Sequence, residues 1–286
     1  MAKVAVTGAN GQLGRELCRH FAEQGYQVVG YGKEKLDVTD RDHTIELMAL
    51  ERFDIVVHAG AYTKVDLAED EREQSFLINA SGTRNVAEAA EMIGAKLVYI
   101  STDYVFDGTA VSPREAEAPT NPINVYGASK LAGEQFVREL HTKYFIVRTA
   151  WVFGPFGQNF VTTMLKLAAE RESIAVVNDQ IGCPTYTVDL SRQIERLMNS
   201  ECYGMYHVTN TGFCSWYEFA RRIFELADIK IELKAINSSE LLRKAKRPSC
   251  SILSNRSLLE NGFQPLRPWE EALEEFVRME MERLAR

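Results

Sequence analysis

The chain has 286 residues, 45% of them hydrophobic and 26% charged, and a net charge of −7. That is the composition of an ordinary globular protein with a large core, and the acidic balance without a basic stripe excludes nucleic acid as the expected partner. No apolar run approaches the length of a bilayer span, so no membrane contact is predicted.

Met1 to Val6 runs straight into a strand pattern, which leaves no room for a signal peptide. Five scattered cysteines, Cys18, Cys183, Cys202, Cys214 and Cys250, lack CxxC spacing. They predict reduced thiols, a cytoplasmic location and no zinc site.

The first half alternates strands with helices. Lys3 to Thr7 reads as a strand, Gln12 to Gln24 as a helix closed by Gly25, and Tyr26 to Tyr31 as a second strand. Asp40 to Arg52 follows as a helix with Thr39 as N-cap, then Asp54 to Ala59 as a buried strand, since Ile-Val-Val is continuously apolar. Glu69 to Met92 is predicted as one long helix, Lys96 to Ser101 as a strand, Val125 to Leu140 as a helix and Phe145 to Arg148 as a strand. This alternation predicts an α/β fold, a Rossmann-type doubly wound parallel sheet with helices on both faces.

After about Trp151 the pattern changes. Helices at Asn159 to Arg171, Val188 to Asn199 and Trp216 to Ala227 mix with short strands at Ile174 to Val177, Gly204 to Val208 and Ile231 to Ala235. Ser238 to Asn261 is less regular, and a charged amphipathic helix starts near Trp269. The expected division is a dinucleotide-binding domain over 1–150, to which later segments can return, and a smaller C-terminal α/β substrate lobe over 151–286.

Gly8, Gly11 and Gly14 form Gly-x-x-Gly-x-x-Gly directly after the first strand and before the first helix. The first glycine permits the tight turn, the second lets backbone approach a pyrophosphate, and the third lets the helix pack on the sheet. The helix N-terminus then offers free N–H groups to phosphate. Asn10, Gln12 and Leu13 belong to the same loop. The second strand ends Gly30-Tyr31-Gly32-Lys33 without an acid to hold ribose hydroxyls. Lys33 suits a 2′-phosphate, which predicts NADPH with NADH tolerated. Asp37 suits the adenine amino group and Val38 its ring. Ala59, Gly60 and Ala61 follow a buried strand, where small side chains admit a cofactor against the backbone or allow close helix–sheet packing.

Tyr126 and Lys130 lie four residues apart, on one helix face. An ammonium beside a phenol is expected to lower the tyrosine pKa toward neutrality. Alone, Tyr-x-x-x-Lys is ordinary helix surface; its weight here comes from the glycine loop and from Ser101-Thr102-Asp103-Tyr104-Val105-Phe106. Thr102 reads either as a turn-capping hydroxyl or as a hydrogen-bond partner for a substrate carbonyl. The basic run Arg243 to Arg247 reads as a solvated loop or a local phosphate site.

With these strings the chain resembles the extended short-chain dehydrogenases/reductases and, within them, the dTDP-4-dehydrorhamnose reductases. The resemblance covers nearly the whole chain. It rests on Thr7 to Gly14, His58 to Asp66, Ser101 to Phe106, Asn124 to Lys130, Arg148 to Gly154, Asp179-Gln180-Ile181-Gly182-Cys183-Pro184-Thr185 and Arg247-Pro248. It implies a homodimer as an open possibility, and reduction of a 4-keto sugar nucleotide with Tyr126 as general acid. Lys130 would hold the nicotinamide ribose and tune Tyr126, and Thr102 would bind the carbonyl.

Tyr62 and Thr63 are then expected beside the nicotinamide, and Val65 beside the sugar. Asn79 is expected near the cofactor, where it reads as ordering a water or a backbone turn or as a solvated asparagine. Asp103, Tyr104 and Trp151 are expected at the sugar, with Trp151 reading equally as a core residue, Gln180 and Thr185 at the nucleotide, and Arg247 at the diphosphate. Gly60 and Cys183 depart from the family by small changes in volume. Glu16 matches one glutamate of a magnesium site in some relatives, but the others have no counterpart, so no metal is predicted.

Two other readings compete. A non-catalytic regulatory subunit like methionine adenosyltransferase β has no need for the Thr102, Tyr126 and Lys130 set. A dehydratase is disfavoured because Tyr104, not glutamate, follows Asp103, while reductases of related deoxysugars remain open.

Overall fold

The computed structural model describes residues 2–284. In chain order, β1 (Lys3–Thr7), α1 (Gln12–Glu23), β2 (Gln27–Tyr31), α2 (Arg41–Glu51) and β3 (Ile55–His58) build the first half of the sheet. Two short helices, α3 (Val65–Ala68) and α4 (Arg72–Phe76), lead through a π-turn at Leu77–Gly82 into α5 (Thr83–Met92). Then come β4 (Lys96–Thr102), a 3₁₀ turn at Asp103–Val105, α6 (Val125–Leu140) and β5 (Tyr144–Thr149). The second half contains β6 (Val152–Phe153), α7 (Phe160–Glu170), β7 (Ser173–Val177), β8 (Ile181–Gly182), β9 (Thr185–Tyr186), α8 (Thr187–Met198) and β10 (Gly204–His207). It ends with β11 (Asn210–Thr211), β12 (Cys214–Ser215), α9 (Trp216–Leu226), β13 (Glu232–Ile236), α10 (Arg256–Glu260), β14 (Leu266–Pro268) and α11 (Trp269–Leu284).

The main sheet has six strands in the order β10-β5-β4-β3-β1-β2, all parallel. This is the doubly wound Rossmann-type α/β sheet that the strand–helix alternation predicts. Its central strands bury Val4, Val6, Val57 and Val98 completely, as strands covered on both faces must. The chain order reverses between β1 and β3, which opens a crevice at the carboxyl ends of those strands.

The second lobe is built of strand pairs. β7 runs parallel to β13 and β8 antiparallel to β12, around a core of Phe153, Phe219, Trp269 and Phe276. The lobe does not keep all of its chain, because β10 returns to pair with β5. Helix α8 also buries Leu190, Ile194 and Leu197 in the same cluster as Leu17 and Phe21 of α1.

Two local expectations are corrected. The N-cap of α2 is Asp40, whose carboxylate accepts from the His43 N–H at 3.1 Å. Thr39 is engaged elsewhere, donating its N–H and hydroxyl to Asp37 at 3.0 and 2.7 Å. The long helix from Glu69 to Met92 is interrupted by the π-turn. Helical periodicity persists through such a turn, so the sequence pattern does not show the inserted residue.

Candidate active site

The crevice at the carboxyl ends of β1, β3, β4 and β5 is a cleft of about 830 Å³. That is an ordinary size for a small-molecule site. Three residue groups of independent origin line it.

The glycine loop forms the first group. Gly8 has φ 67°, and a Cβ there would lie 2.6 Å from the Gly60 backbone. A Cβ on Gly14 would lie 2.2 Å from the Gly8 carbonyl. The loop, β3's continuation and the start of α1 are therefore packed as close as backbones can come. Gly11 caps α1 with no side-chain bond to its first N–H groups, which stay available to an anion. This cradle fits the pyrophosphate of a dinucleotide. Gly8, Asn10, Gly11, Gln12, Leu13, Gly14, Lys33, Asp37, Val38, Ala59, Gly60, Ala61 and Thr63 all line the cleft. Lys33 is mostly exposed and sits 3.8 Å from Asp37. The carboxylate of Glu34, outside the expected set, accepts from Asn10 at 3.3 Å.

The second group is Thr102, Tyr126 and Lys130. Thr102 ends β4, and its hydroxyl accepts from the Tyr104 N–H at 3.2 Å while donating to Asp103 at 2.9 Å. Capping a turn and facing the cleft are thus compatible. Tyr126 stands in the first turn of α6. Asn124 caps that helix by accepting from the Gly127 N–H at 2.7 Å, and it donates to the Lys246 carbonyl at 2.8 Å. Only glycine fits at 127, because a Cβ would lie 2.1 Å from the Tyr104 carbonyl. Lys130 is buried, with its ammonium 4.1 Å from the centre of the Tyr99 ring.

The electrostatics reverse one expectation. Burial pushes the Tyr126 phenol up from its usual value, the Thr102 hydroxyl opposes this, and Asp103 and Tyr104 add to it. Lys130 does not bring the phenol toward neutrality. Burial instead lowers Lys130 to about 7, with Glu134 holding it up. Burial is the largest influence on both groups. Tyr126 is therefore protonated across the neutral range, the state an acid catalyst requires. Burial also raises the neighbouring Asp103 to about 6. One of its carboxylate oxygens has no protein partner among the described residues.

Beneath this group Glu134 accepts from Arg148 at 2.6 and 2.8 Å and from the Ser101 hydroxyl at 2.5 Å. A buried ion pair thus stands one helical turn from Lys130.

The third group comes from the second half of the chain. Trp151, Val152, Gly157, Gln158 and Trp216 line the cleft with Val65, Asp103 and Tyr104. Trp151 has φ 46°, a strained conformation for an aromatic residue that costs about 1–3 kcal/mol and is typical of functional positions. Gln12 donates to the Val152 carbonyl at 3.0 Å and accepts from Asn159 at 3.1 Å, tying the glycine loop to this lobe.

Five expected residues do not line the cleft. Asn79 is buried in the π-turn, where it accepts from the Tyr62 N–H at 2.7 Å and donates to the Tyr62 carbonyl and to Ser129. It orders a backbone turn, one of the expected roles, and is not solvated. Tyr62 itself turns away and donates to Glu71 at 2.7 Å. Gln180 and Thr185 are buried in the second lobe. Arg247 is forked onto Asp66, with the shorter-range bonds at 2.5 and 2.6 Å. The cleft is also lined by Gly32, Leu36, Ile78, Ile100, Ser101, Thr149, Ala150, Val152, Gly157, Gln158 and Trp216, which are not among the expected residues. The segment Arg148 to Gly154 carried a signal for several of them, while Trp216 had none.

Among the described residues no helix is long and apolar enough to cross a membrane. No three His, Cys, Asp or Glu side chains there gather to hold a metal ion.

The family model described as the RmlD substrate binding domain matches residues 2–281. The spore coat polysaccharide biosynthesis protein SpsK of Bacillus subtilis is 43% identical over 277 residues, 97% of each chain. A dTDP-4-dehydrorhamnose reductase of Mycolicibacterium smegmatis is 40% identical, over 96% of this chain and 85% of that protein. Among solved structures, a dTDP-4-dehydrorhamnose reductase from Bacillus anthracis in complex with NADP superposes with a TM-score of 0.95. It is 48% identical, covering 97% of this chain and 99% of that one.

Proposed function

The chain belongs to the dTDP-4-dehydrorhamnose reductase family, and from that premise we propose that it uses NADPH, with NADH tolerated, to reduce the C4 keto group of dTDP-4-dehydro-L-rhamnose to dTDP-L-rhamnose. The observation that carries this reading is that one cleft is lined by the glycine cradle and by Thr102, Tyr126 and Lys130. A binding-only subunit has no use for that second group.

The glycine loop would hold the pyrophosphate, Lys33 the 2′-phosphate, and Asp37 and Val38 the adenine. The bound nicotinamide supplies a hydride. The remaining steps fall to the protein's own side chains. Charge that develops on the C4 oxygen is met by the Thr102 hydroxyl and by the proton of Tyr126, which stays neutral until it gives that proton up. Lys130, one helical turn on, balances the phenolate left on Tyr126. Proton transfer from Tyr126 completes the alcohol, and solvent returns a proton to the phenolate. Asp103, Tyr104, Val65 and Trp151, which line the same cleft, would contact the sugar.

Arg247 pairs with Asp66 and Lys244 with Asp70, which ties the 243–247 strap to α3 and the turn after it, and a diphosphate bound by Arg247 would take the place of Asp66. The five free cysteines accord with work in the reducing cytoplasm.

Purified protein should oxidise NADPH only when the 4-keto sugar nucleotide is added. Tyr126→Phe should lower that rate by about 10²–10⁴-fold, the usual worth of a positioned acid. Absence of sugar-dependent oxidation in the unmodified protein would overturn the reading.

A further inference from the structure

Trp151 and Trp216 lie face to face, ring centres 3.5 Å apart and planes 8° from parallel. Both are half-buried, and both line the cleft. Trp151 arrives from the main sheet just past β5, on a backbone held at φ 46°. Trp216 opens α9 of the second lobe, fixed by a capping box in which Ser215 and Glu218 bond reciprocally. Its ring also packs on Phe160 at 4.5 Å.

The Trp151 indole is confined further by Gly182, where a Cβ would come within 2.5 Å of its ring. Gly182 pairs with Cys214 across the β8–β12 ladder that delivers Trp216. One short antiparallel pair thus builds both the recess for the Trp151 ring and the platform beneath it.

We propose that Trp216 is a positioning residue for the nucleotide-sugar end of the cleft, fixing the Trp151 indole as a rigid wall against which the sugar docks. The inference rests on the reductase reading of the site. A strained backbone does not by itself hold a large side chain in one place; a planar partner at van der Waals distance does. Preorganising this wall saves the sugar the cost of ordering it on binding. The dinucleotide cradle contains neither indole, so the effect is confined to the sugar nucleotide.

The test uses Trp216→Ala, Trp216→Leu and Trp216→Phe, assayed with NADPH and dTDP-4-dehydro-L-rhamnose. Trp216→Ala and Trp216→Leu should raise KM for the sugar nucleotide about two- to tenfold, the worth of an aromatic pair. The KM for NADPH should stay unchanged. Trp216→Phe keeps a flat ring and should recover most of the affinity. The exciton couplet of the indole pair in circular dichroism should vanish in all three. In a double-mutant cycle, Trp216→Ala should add little to Trp151→Ala.

If Trp216→Ala does not fold, the leucine and phenylalanine variants carry the comparison. Additive losses in the cycle, an unchanged sugar-nucleotide KM, or a parallel loss of NADPH affinity would each overturn the proposal. An unmodified protein with no sugar-dependent turnover would remove the reductase reading itself. Unchanged KM in the variants of an active enzyme removes only the role of Trp216.

Discussion

The Thr102 hydroxyl donates to the carboxylate of Asp103, the next residue, at 2.9 Å. A hydroxyl has one proton, so while Asp103 is ionised that proton is shared with a carboxylate rather than offered to a substrate oxygen. Asp103 is raised by burial to about 6. The reduction rate should therefore fall as pH rises through about 6. Asp103→Asn should remove that inflection from a kcat–pH profile; an unaltered inflection near 6 in the variant would exclude Asp103 as its source.

The same carboxyl bears on stability. Its folded pKa lies above the unfolded one, so the folded state binds the proton more tightly. Its contribution is complete below about pH 4 and is lost as pH rises to about 6, a change of about 2–3 kcal/mol. Asp103→Asn should flatten this part of the stability curve in denaturant titrations at pH 4 and pH 7.

Lys130 is lowered to about 7 by burial, with Glu134 opposing. A second fall in activity is expected above about pH 7, as the ammonium loses its charge. Glu134→Gln removes the opposing charge and should move that fall to lower pH. It also strands the buried Arg148, at a cost of roughly 3–5 kcal/mol. A pH–rate profile and a urea melt on the same variant separate the two effects, and an unmoved alkaline limb would sink the first.

At Gly8 the φ of 67° and the 2.6 Å approach to Gly60 forbid a methyl group. Gly8→Ala should cost roughly 2–4 kcal/mol in strain and overpacking. It should also abolish NADPH binding in a fluorescence titration. A variant that binds NADPH normally would show that the loop is not the cofactor cradle.

Lys33 is exposed and only loosely paired with Asp37 at 3.8 Å, so its charge is free to meet a 2′-phosphate. Lys33→Ala should weaken NADPH by about three- to tenfold, since an exposed ion pair is worth about 0.2–1 kcal/mol and a charged hydrogen bond somewhat more. NADH should be unaffected. Equal weakening of both cofactors would assign Lys33 no part in choosing between them.

What was legible in the sequence was whatever local chemistry dictates. The glycine loop, the buried apolar strands and the Tyr126–Lys130 spacing depend on neighbours within a few residues, and all three groups stand where the pattern predicts. The pairing of Arg247 with Asp66 is not legible, because the partner lies far away in the chain and composition says nothing of such contacts. Trp216 was invisible for the same reason: its meaning comes from Trp151, brought to it by the β8–β12 pair. The direction of the Tyr126 shift is not legible, because proximity to a cation can be read from spacing whereas desolvation depends on burial. The π-turn was missed because it adds one residue without breaking the helical pattern.

The return of β10 to the main sheet bears on how the protein is made. Five strands are complete once Thr149 is synthesised, but the sixth follows only after residues 150–203 have been added. At usual translation speeds the nascent chain carries β5 as an open edge for roughly 3–10 s. An unpaired edge of that kind invites pairing with another chain. Ribosome-bound chains stopped one exit-tunnel length past Thr149 should therefore be the most prone to aggregate, and those stopped one exit-tunnel length past His207 the least.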